Sequence, residues 1–193
     1  MRIERPDREP DLEFQALGVA KPAGSKDTGV CYRTDKLTGA KIPVVKDNGS
    51  IATFVRDQSG EKGKHWRSAV AAAGYAAIYS VGRFDGPLYV ELTIVRPRGP
   101  GHYGRGKNAG KLLPSAPNYP AVMPDVIKLT RAIEDALNGV VWGDDSRNIV
   151  VHSEKVYAEE GESPGVIVRL WTLPATVGYV VSAEQLALDD VAA

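Results

Sequence analysis

Carboxylates flank one predicted helix on both sides, and together they have the composition of a metal site. Asp125 lies at the start of segment 126–138, and Asp144 and Asp145 follow its end. Carboxylates brought together from separate loops commonly hold Mg²⁺, with Mn²⁺ as an alternative, and such ions act on phosphate groups. Arg131 projects from the same helix and is suited to clamp a phosphate. We therefore expect the turn after the helix, or the next strand, to bring the Asp pair back towards Asp125.

The same residues also have an ordinary structural interpretation. Asp is among the commonest residues at a helix N-cap, and a pair of Asp residues is common in a turn. Spacing alone leaves both interpretations open.

Hydrophobic periodicity predicts the elements that would position these side chains. Apolar residues at three- and four-residue spacing predict helices over about 64–80 and 126–138, with Asp125 as N-cap of the second and Gly139 as its stop. The segment 97–123, rich in Pro and Gly, is predicted to be irregular. Apolar and β-branched runs predict strands at 12–19, 31–32, 42–45, 88–95, 148–157 and 165–173, the last two as an antiparallel hairpin.

This mixed order of helices and hairpins predicts an α+β fold with a mixed or antiparallel sheet and two main helices, rather than alternating βαβ units. We expect one domain over residues 12–173, preceded by a polar, flexible leader (1–11) and followed by a peripheral tail (174–193).

Composition excludes several classes of function. The chain has 193 residues, of which 43% are hydrophobic and 25% charged, as expected of one soluble domain. No apolar run approaches the roughly 20 residues of a membrane span. The single Cys31 excludes an intrachain disulfide, and a reducing cytoplasm is the simplest location. The segment GRGKNAGK has the wrong spacing for a P-loop, so no nucleotide cofactor is expected.

Charge is unevenly distributed although the formal net charge is zero. Residues 94–111 contain five basic residues and no acidic one, and a flexible basic segment of this kind suits the phosphates of DNA. A solvated basic loop without a ligand is the alternative. Lys26, after Gly24 and Ser25, offers a second phosphate contact. The predicted contacts in the basic segment are Arg96, Arg98, Arg105, Lys107 and Lys111.

The stretch PDVIKLTRAIEDALNG followed by VWGDDSRNIV resembles the signature of the RusA family of Holliday junction resolvases. The likeness extends over about residues 12–172, through LGVAKPAGSK, KHWRSAVAAA, LYVELTIVRPR and EKVYAEEGESPGVIVRLW. The resemblance implies a small α+β homodimer that cuts four-way DNA junctions with Mg²⁺. It also implies a phage or prophage protein that acts in a bacterial or phage-infected cytoplasm.

The resemblance also implies the roles of individual residues. It places metal ligands at Asp125, at position 127 and at Asp145, with Asp144 beside it, and it places the family's helix lysine at Arg131. Lys128 adds positive charge beside the site, and we group it with the DNA-binding residues.

Position 127 departs from the family pattern. Ile127 cannot coordinate a hard cation. Two hypotheses therefore follow, a metal-dependent endodeoxyribonuclease and a non-catalytic protein that binds branched DNA. A third, an interaction module unrelated to DNA, predicts no salt-dependent binding of DNA.

Overall fold

The computed structural model describes residues 3–24, 26–57 and 60–175, and for residues 26, 27 and 55–57 it describes the backbone only. Most of the tail predicted at 174–193 therefore lies outside the described residues. The helices are α1 (Gly60–Ile78) and α2 (Val126–Leu137). The strands are β1 (Leu12–Leu17), β2 (Lys26–Val30), β3 (Tyr32–Thr34), β4 (Lys41–Pro43), β5 (Thr53–Asp57), β6 (Leu88–Arg96), β7 (Asn148–Tyr157) and β8 (Gly165–Thr172).

A four-stranded mixed sheet in the order β1-β8-β6-β7 forms the centre of the fold. Its central strand β6 has the sequence LYVELTIVR, and most of its side chains are buried. Because most of β6 is buried, its backbone groups need a strand partner along each edge to satisfy their hydrogen bonds. β7 pairs with one edge in parallel, and β8 pairs with the other edge antiparallel.

The predicted antiparallel hairpin of residues 148–157 and 165–173 is wrong. Both strands exist close to their predicted bounds, but β6 lies between them. The connection at 158–164 crosses the end of β6, where the Ala158 amide donates to the Arg96 carbonyl. The parallel pair β6–β7 is joined through α2, so the α+β fold contains one βαβ unit that the sequence order did not predict.

Both helices pack against the sheet and against each other. α1 begins at Gly60, before the predicted start, whereas α2 and its Gly139 stop agree with the prediction. The helices approach closely at Gly74, where a Cβ atom would lie 2.8 Å from the Leu137 side chain. All three Trp side chains are buried, as expected of core residues.

Residues 26–57 form a small arm outside the main sheet. β2 pairs with β5 and β3 pairs with β4, both antiparallel, and the second pairing agrees with the strands predicted near 31–32 and 42–45. Near the N-terminus, Asp11 accepts hydrogen bonds from the Thr172 amide and hydroxyl, both at 2.7 Å. This contact attaches the residues before β1 to the end of β8.

No helix within residues 3–24, 26–57 and 60–175 is long and apolar enough to span a membrane.

The main sheet has two ends with different surroundings. The end of β6, the end of β7 and the start of β8 meet at one end, which we call the loop end because segment 97–123 leaves from it. The start of β6, the start of β7 and the end of β8 lie at the other end, which we call the opposite end. α2 returns from the loop end to the opposite end.

Gly165 at the start of β8 provides a test of this strand order. A Cβ atom there would lie 2.3 Å from the Ala16 carbonyl oxygen, and backbone cannot move away as a flexible side chain can. We expect Gly165→Ala to lower the free energy of unfolding by about 1–3 kcal/mol, measured by urea denaturation. Gly86→Ala is the control, because a Cβ atom there meets nothing within 4 Å. Equal stability of the two variants would contradict the close approach of β1 and β8.

Candidate active site

Asp125 is the N-cap of α2 by position, as predicted, but its side chain does not cap the helix. Its backbone is extended (φ −66°, ψ 146°), and its carboxylate makes no capping hydrogen bond. The side chain is exposed at the loop end. A helix N-terminus favours a nearby negative charge. The carboxylate is therefore free to bind a ligand from outside the fold.

Lys155 holds the segment that carries Asp125 against the end of β7. Its ammonium group donates to the carbonyl oxygens of Val122 at 2.9 Å and Pro124 at 3.0 Å. Sequence reasoning missed this role, because Lys155 is 31 residues from Pro124 and meets it only through the parallel pairing of β6 and β7.

The segment before β2 also lies beside the start of α2. The Ala23 amide donates to the Lys128 carbonyl at 2.9 Å, and the Arg96 guanidinium donates to the Ala20 carbonyl at 2.7 Å. The predicted phosphate contact after Ala23 therefore begins beside the first turn of α2. Ser25 itself and the side chain of Lys26 lie outside the described residues, so the role of Lys26 stays a prediction.

Asp144 and Asp145 have different surroundings. Asp144 caps the short 3-10 turn Asp145–Arg147 and accepts from the Ser146 amide at 2.9 Å. Hydrogen bonds from Ser146 lower the pKa of the Asp144 carboxyl group. The Asp145 side chain is exposed and makes no such bond. Of the pair, Asp145 is the carboxylate better placed to accept a ligand.

Glu134 is an acidic neighbour of Asp145 that sequence reasoning missed. Its carboxylate accepts a hydrogen bond from the side-chain amide (Nδ2) of Asn148 at 3.2 Å. Burial raises the pKa of Glu134, and the nearby charges of Asp145 and Asp135 raise it further, against the Asn148 hydrogen bond. Glu134 lies on the polar side of an amphipathic helix, so its sequence position gives little sign of this half-buried environment.

Within one chain, these contacts keep Asp125 and Asp145 at different ends of the sheet. Asp125 follows Pro124, which Lys155 binds near the end of β7, whereas Asp145 lies beside Glu134 and the start of β7. Asn148 and Lys155 are seven residues apart on an extended strand, which corresponds to roughly 23 Å. Among the described residues, no group of three or more His, Cys, Asp or Glu side chains is placed to hold a metal ion. Asp125 and Asp145 of one chain are therefore too far apart to share one ion.

The exposed face of α2 combines apolar and basic side chains. Ile127 is 77% exposed, so the residue at the position of the expected third carboxylate projects into solvent. Lys128 and Arg131 are also exposed. Large exposed apolar side chains continue before the helix at Tyr119, Val122 and Met123.

The basic loop, which we define as residues 98–112, is irregular as predicted but closed by its own hydrogen bonds. The Gly104 amide donates to the Lys111 carbonyl at 2.9 Å, and the Leu113 amide donates to the His102 carbonyl at 2.9 Å. Arg105 and Lys107 are exposed, as is Lys111.

The two other predicted DNA contacts have structural partners. Burial lowers the pKa of Arg96, which binds the Ala20 carbonyl. Arg98 lies over the Tyr157 ring at 4.5 Å and donates to the Pro117 carbonyl at 3.0 Å. Arg98 therefore helps to hold the basic loop at the loop end, whereas Arg96 holds the segment before β2 there. Contact of any of these side chains with DNA stays a prediction.

Comparison with known protein families identifies the family of this chain. The model of a protein family described as endodeoxyribonuclease RusA matches residues 42–170, more than half of the chain. No curated protein matches the sequence significantly. The matched region contains α2, the carboxylates at both of its ends, the basic loop, strands β6 and β7 and most of β8. The chain therefore belongs to the RusA family of Holliday junction-resolving endonucleases.

Proposed function

We propose that this protein is a Mg²⁺-dependent endonuclease, with Mn²⁺ as an alternative ion, that resolves four-way DNA junctions by phosphodiester hydrolysis. The observation that carries the proposal is the exposed Asp125 carboxylate at the start of α2, which makes no capping hydrogen bond. Lys155 holds the backbone just before it, at the end of the sheet from which the basic loop leaves. A bound Mg²⁺ would supply an activated water and neutralise charge at the phosphorus atom. Such an ion takes oxygen ligands and tolerates a shell completed by water.

We further propose that the protein acts as a homodimer, in which Asp125 of one copy and Asp145 of a second copy approach the same ion. Two copies with antiparallel α2 helices would bring the start of one helix beside the end of the other. Twofold symmetry would then create two equivalent sites, as two symmetric cuts in a junction require. The exposed apolar side chains of Tyr119, Val122, Met123 and Ile127 support an interface here, because such a patch is uncommon on a monomer.

Basic side chains supply the remaining roles. Arg131 on the exposed face of α2 is proposed to stabilise negative charge that develops on the phosphate during cleavage. Lys128, Arg105 and Lys107 are exposed and are proposed to bind phosphates of the junction arms. These contacts fix the position of the DNA without reading its sequence.

A second candidate function is binding of branched DNA without cleavage. Ile127 favours it, because an exposed apolar side chain stands where the family pattern has a carboxylate. The first three residues of α2 thus present one cation and no carboxylate of their own.

Substitution of Ile127 separates the two functions. A labelled four-way junction is incubated with Mg²⁺ or Mn²⁺ and with the native chain or the Ile127→Asp variant. The nuclease proposal predicts nicking by the native chain and faster nicking, by roughly tenfold or more, when the third carboxylate is present. Ile127→Asn is the control, because it adds a polar group of similar size without a charge. Junction binding without nicking by the native chain, with cleavage restored by Ile127→Asp alone, would instead support the binding protein.

Lys155→Met tests whether Lys155 positions Asp125. Loss of the ammonium group leaves the Val122 and Pro124 carbonyls without this donor, so the Asp125 segment loses its attachment to β7. We expect the single-turnover cleavage rate to fall about 10- to 100-fold, with junction affinity nearly unchanged. The rate is measured in the native chain if that chain nicks junctions, and otherwise in the Ile127→Asp background. Lys46→Met removes the same charge from an exposed turn and serves as the control. A loss of affinity equal to the loss of rate would show instead that Lys155 binds DNA.

A further inference from the structure

An open cleft separates the basic loop from an acidic turn, which we define as residues 158–163 (AEEGES). Its volume is about 770 Å³. Arg98, Tyr103 and Lys111 lie on one wall. Glu159, Glu160 and Glu162 lie on the other. Cations proposed to bind DNA therefore face three carboxylates of the same chain.

Both walls of the cleft are fixed by contacts at the loop end. Tyr157, the last residue of β7, lies under the Arg98 guanidinium and packs edge-on against His102, with a centroid distance of 5.2 Å. The next residue, Ala158, is hydrogen bonded to the end of β6. The Glu162 carboxylate closes the acidic turn by accepting from the Glu159 amide at 2.8 Å. The two charged segments are therefore adjacent because of the fold and not through a chance contact of side chains.

The opposed charges do not neutralise each other through direct contact. Among the described residues, the ion pairs involve other side chains, and none joins the two walls. Glu159 and Glu160 are exposed, and no contact of the fold uses their carboxylates, in contrast to Glu162. Their charges thus act on whatever enters the cleft, over a range of about 10 Å at 0.1 M salt.

We propose that Glu159 and Glu160 restrict how DNA binds the basic loop, by repelling phosphates from the cleft. Lys111 lines the cleft, whereas Arg105 and Lys107 do not. Phosphates would then contact the outer side of the loop at Arg105 and Lys107, and Lys111 would contribute little. The two glutamates act as specificity-determining residues that weaken the binding of any DNA that must enter the cleft. This inference rests on the proposed DNA-binding function.

The test compares the double variant Glu159→Gln/Glu160→Gln with the native chain. Fluorescence anisotropy with EDTA present measures binding of a labelled four-way junction and of a duplex of equal length. We expect the variant to bind about three- to tenfold more tightly at roughly 50 mM salt, with the difference shrinking as salt increases. The slope of log affinity against log salt concentration should steepen by the amount expected for about one additional phosphate contact.

Glu4→Gln/Glu9→Gln is the matched control. Both residues are exposed, and neighbouring residues contact β8 near the opposite end of the sheet, as Arg8 does through Trp171. The control changes the net charge by the same amount but leaves the cleft intact. We expect less than a twofold change in affinity, because the removed charges lie well beyond a Debye length from the basic loop.

Lys111→Gln supplies a second measurement through a double-mutant cycle. In the native chain it should weaken DNA binding less than twofold, because the glutamates keep phosphates away from Lys111. In the Glu159→Gln/Glu160→Gln chain it should cancel most of the gain. Arg105→Gln should weaken binding equally in both backgrounds.

The outcomes distinguish this inference from the proposed function. Tighter binding by both double variants would overturn the inference, because net charge alone would explain it. No change in Glu159→Gln/Glu160→Gln, with the native chain still binding DNA, would overturn the inference and leave the proposed function standing. No DNA binding by any variant would overturn both.

Discussion

The pairing of β6 along both edges is the constraint from which the positions of the candidate functional residues follow. Most residues of β6 are buried, so the backbone groups along each edge require a strand partner. The parallel partner β7 can be reached only by a crossover connection, and α2 supplies that connection. The crossover puts the start of α2 at the loop end of the sheet and its end at the opposite end. Carboxylates close to the two ends of one short helix are thereby kept apart.

This separation makes the association of two copies part of the proposed chemistry. Asp125 shares its end of the sheet with Lys155, the basic loop and the acidic turn. Asp145 shares the other end with Glu134 and Asn148. A cation site that uses both Asp residues therefore needs a second molecule, and the apolar side chains around Ile127 offer a surface for it. Each shared site would then lie at the loop end of one copy, which carries that copy's basic loop, and at the opposite end of the second copy.

Local patterns in the sequence predicted local structure well. The apolar face of α2, its N-cap position and its Gly139 stop agree with the structure, because each depends on neighbouring residues alone. The strands at 148–157 and 165–173 were also found, but their hairpin was not, because β6 lies between them through long-range pairing that no local pattern reports. The roles of Lys155 and Glu134 were missed for the same reason, since both depend on how β7 is paired. The family could be recognised from spacing, whereas the expected return of the Asp pair towards Asp125 was wrong within one chain, because α2 connects opposite ends of the sheet.

Mixing two defective variants tests most directly whether the site is shared between copies. Asp125→Asn and Asp145→Asn are prepared separately in the Ile127→Asp background, so that every other carboxylate of the proposed site is present. Each variant alone should leave a four-way junction uncut. In a mixed dimer one shared site regains both carboxylates, so an equal mixture should recover about one quarter of the intact sites. We expect nicking to recover in this way after subunit exchange. A mixture as inactive as its components, under conditions in which the unsubstituted Ile127→Asp chain cuts, would contradict it.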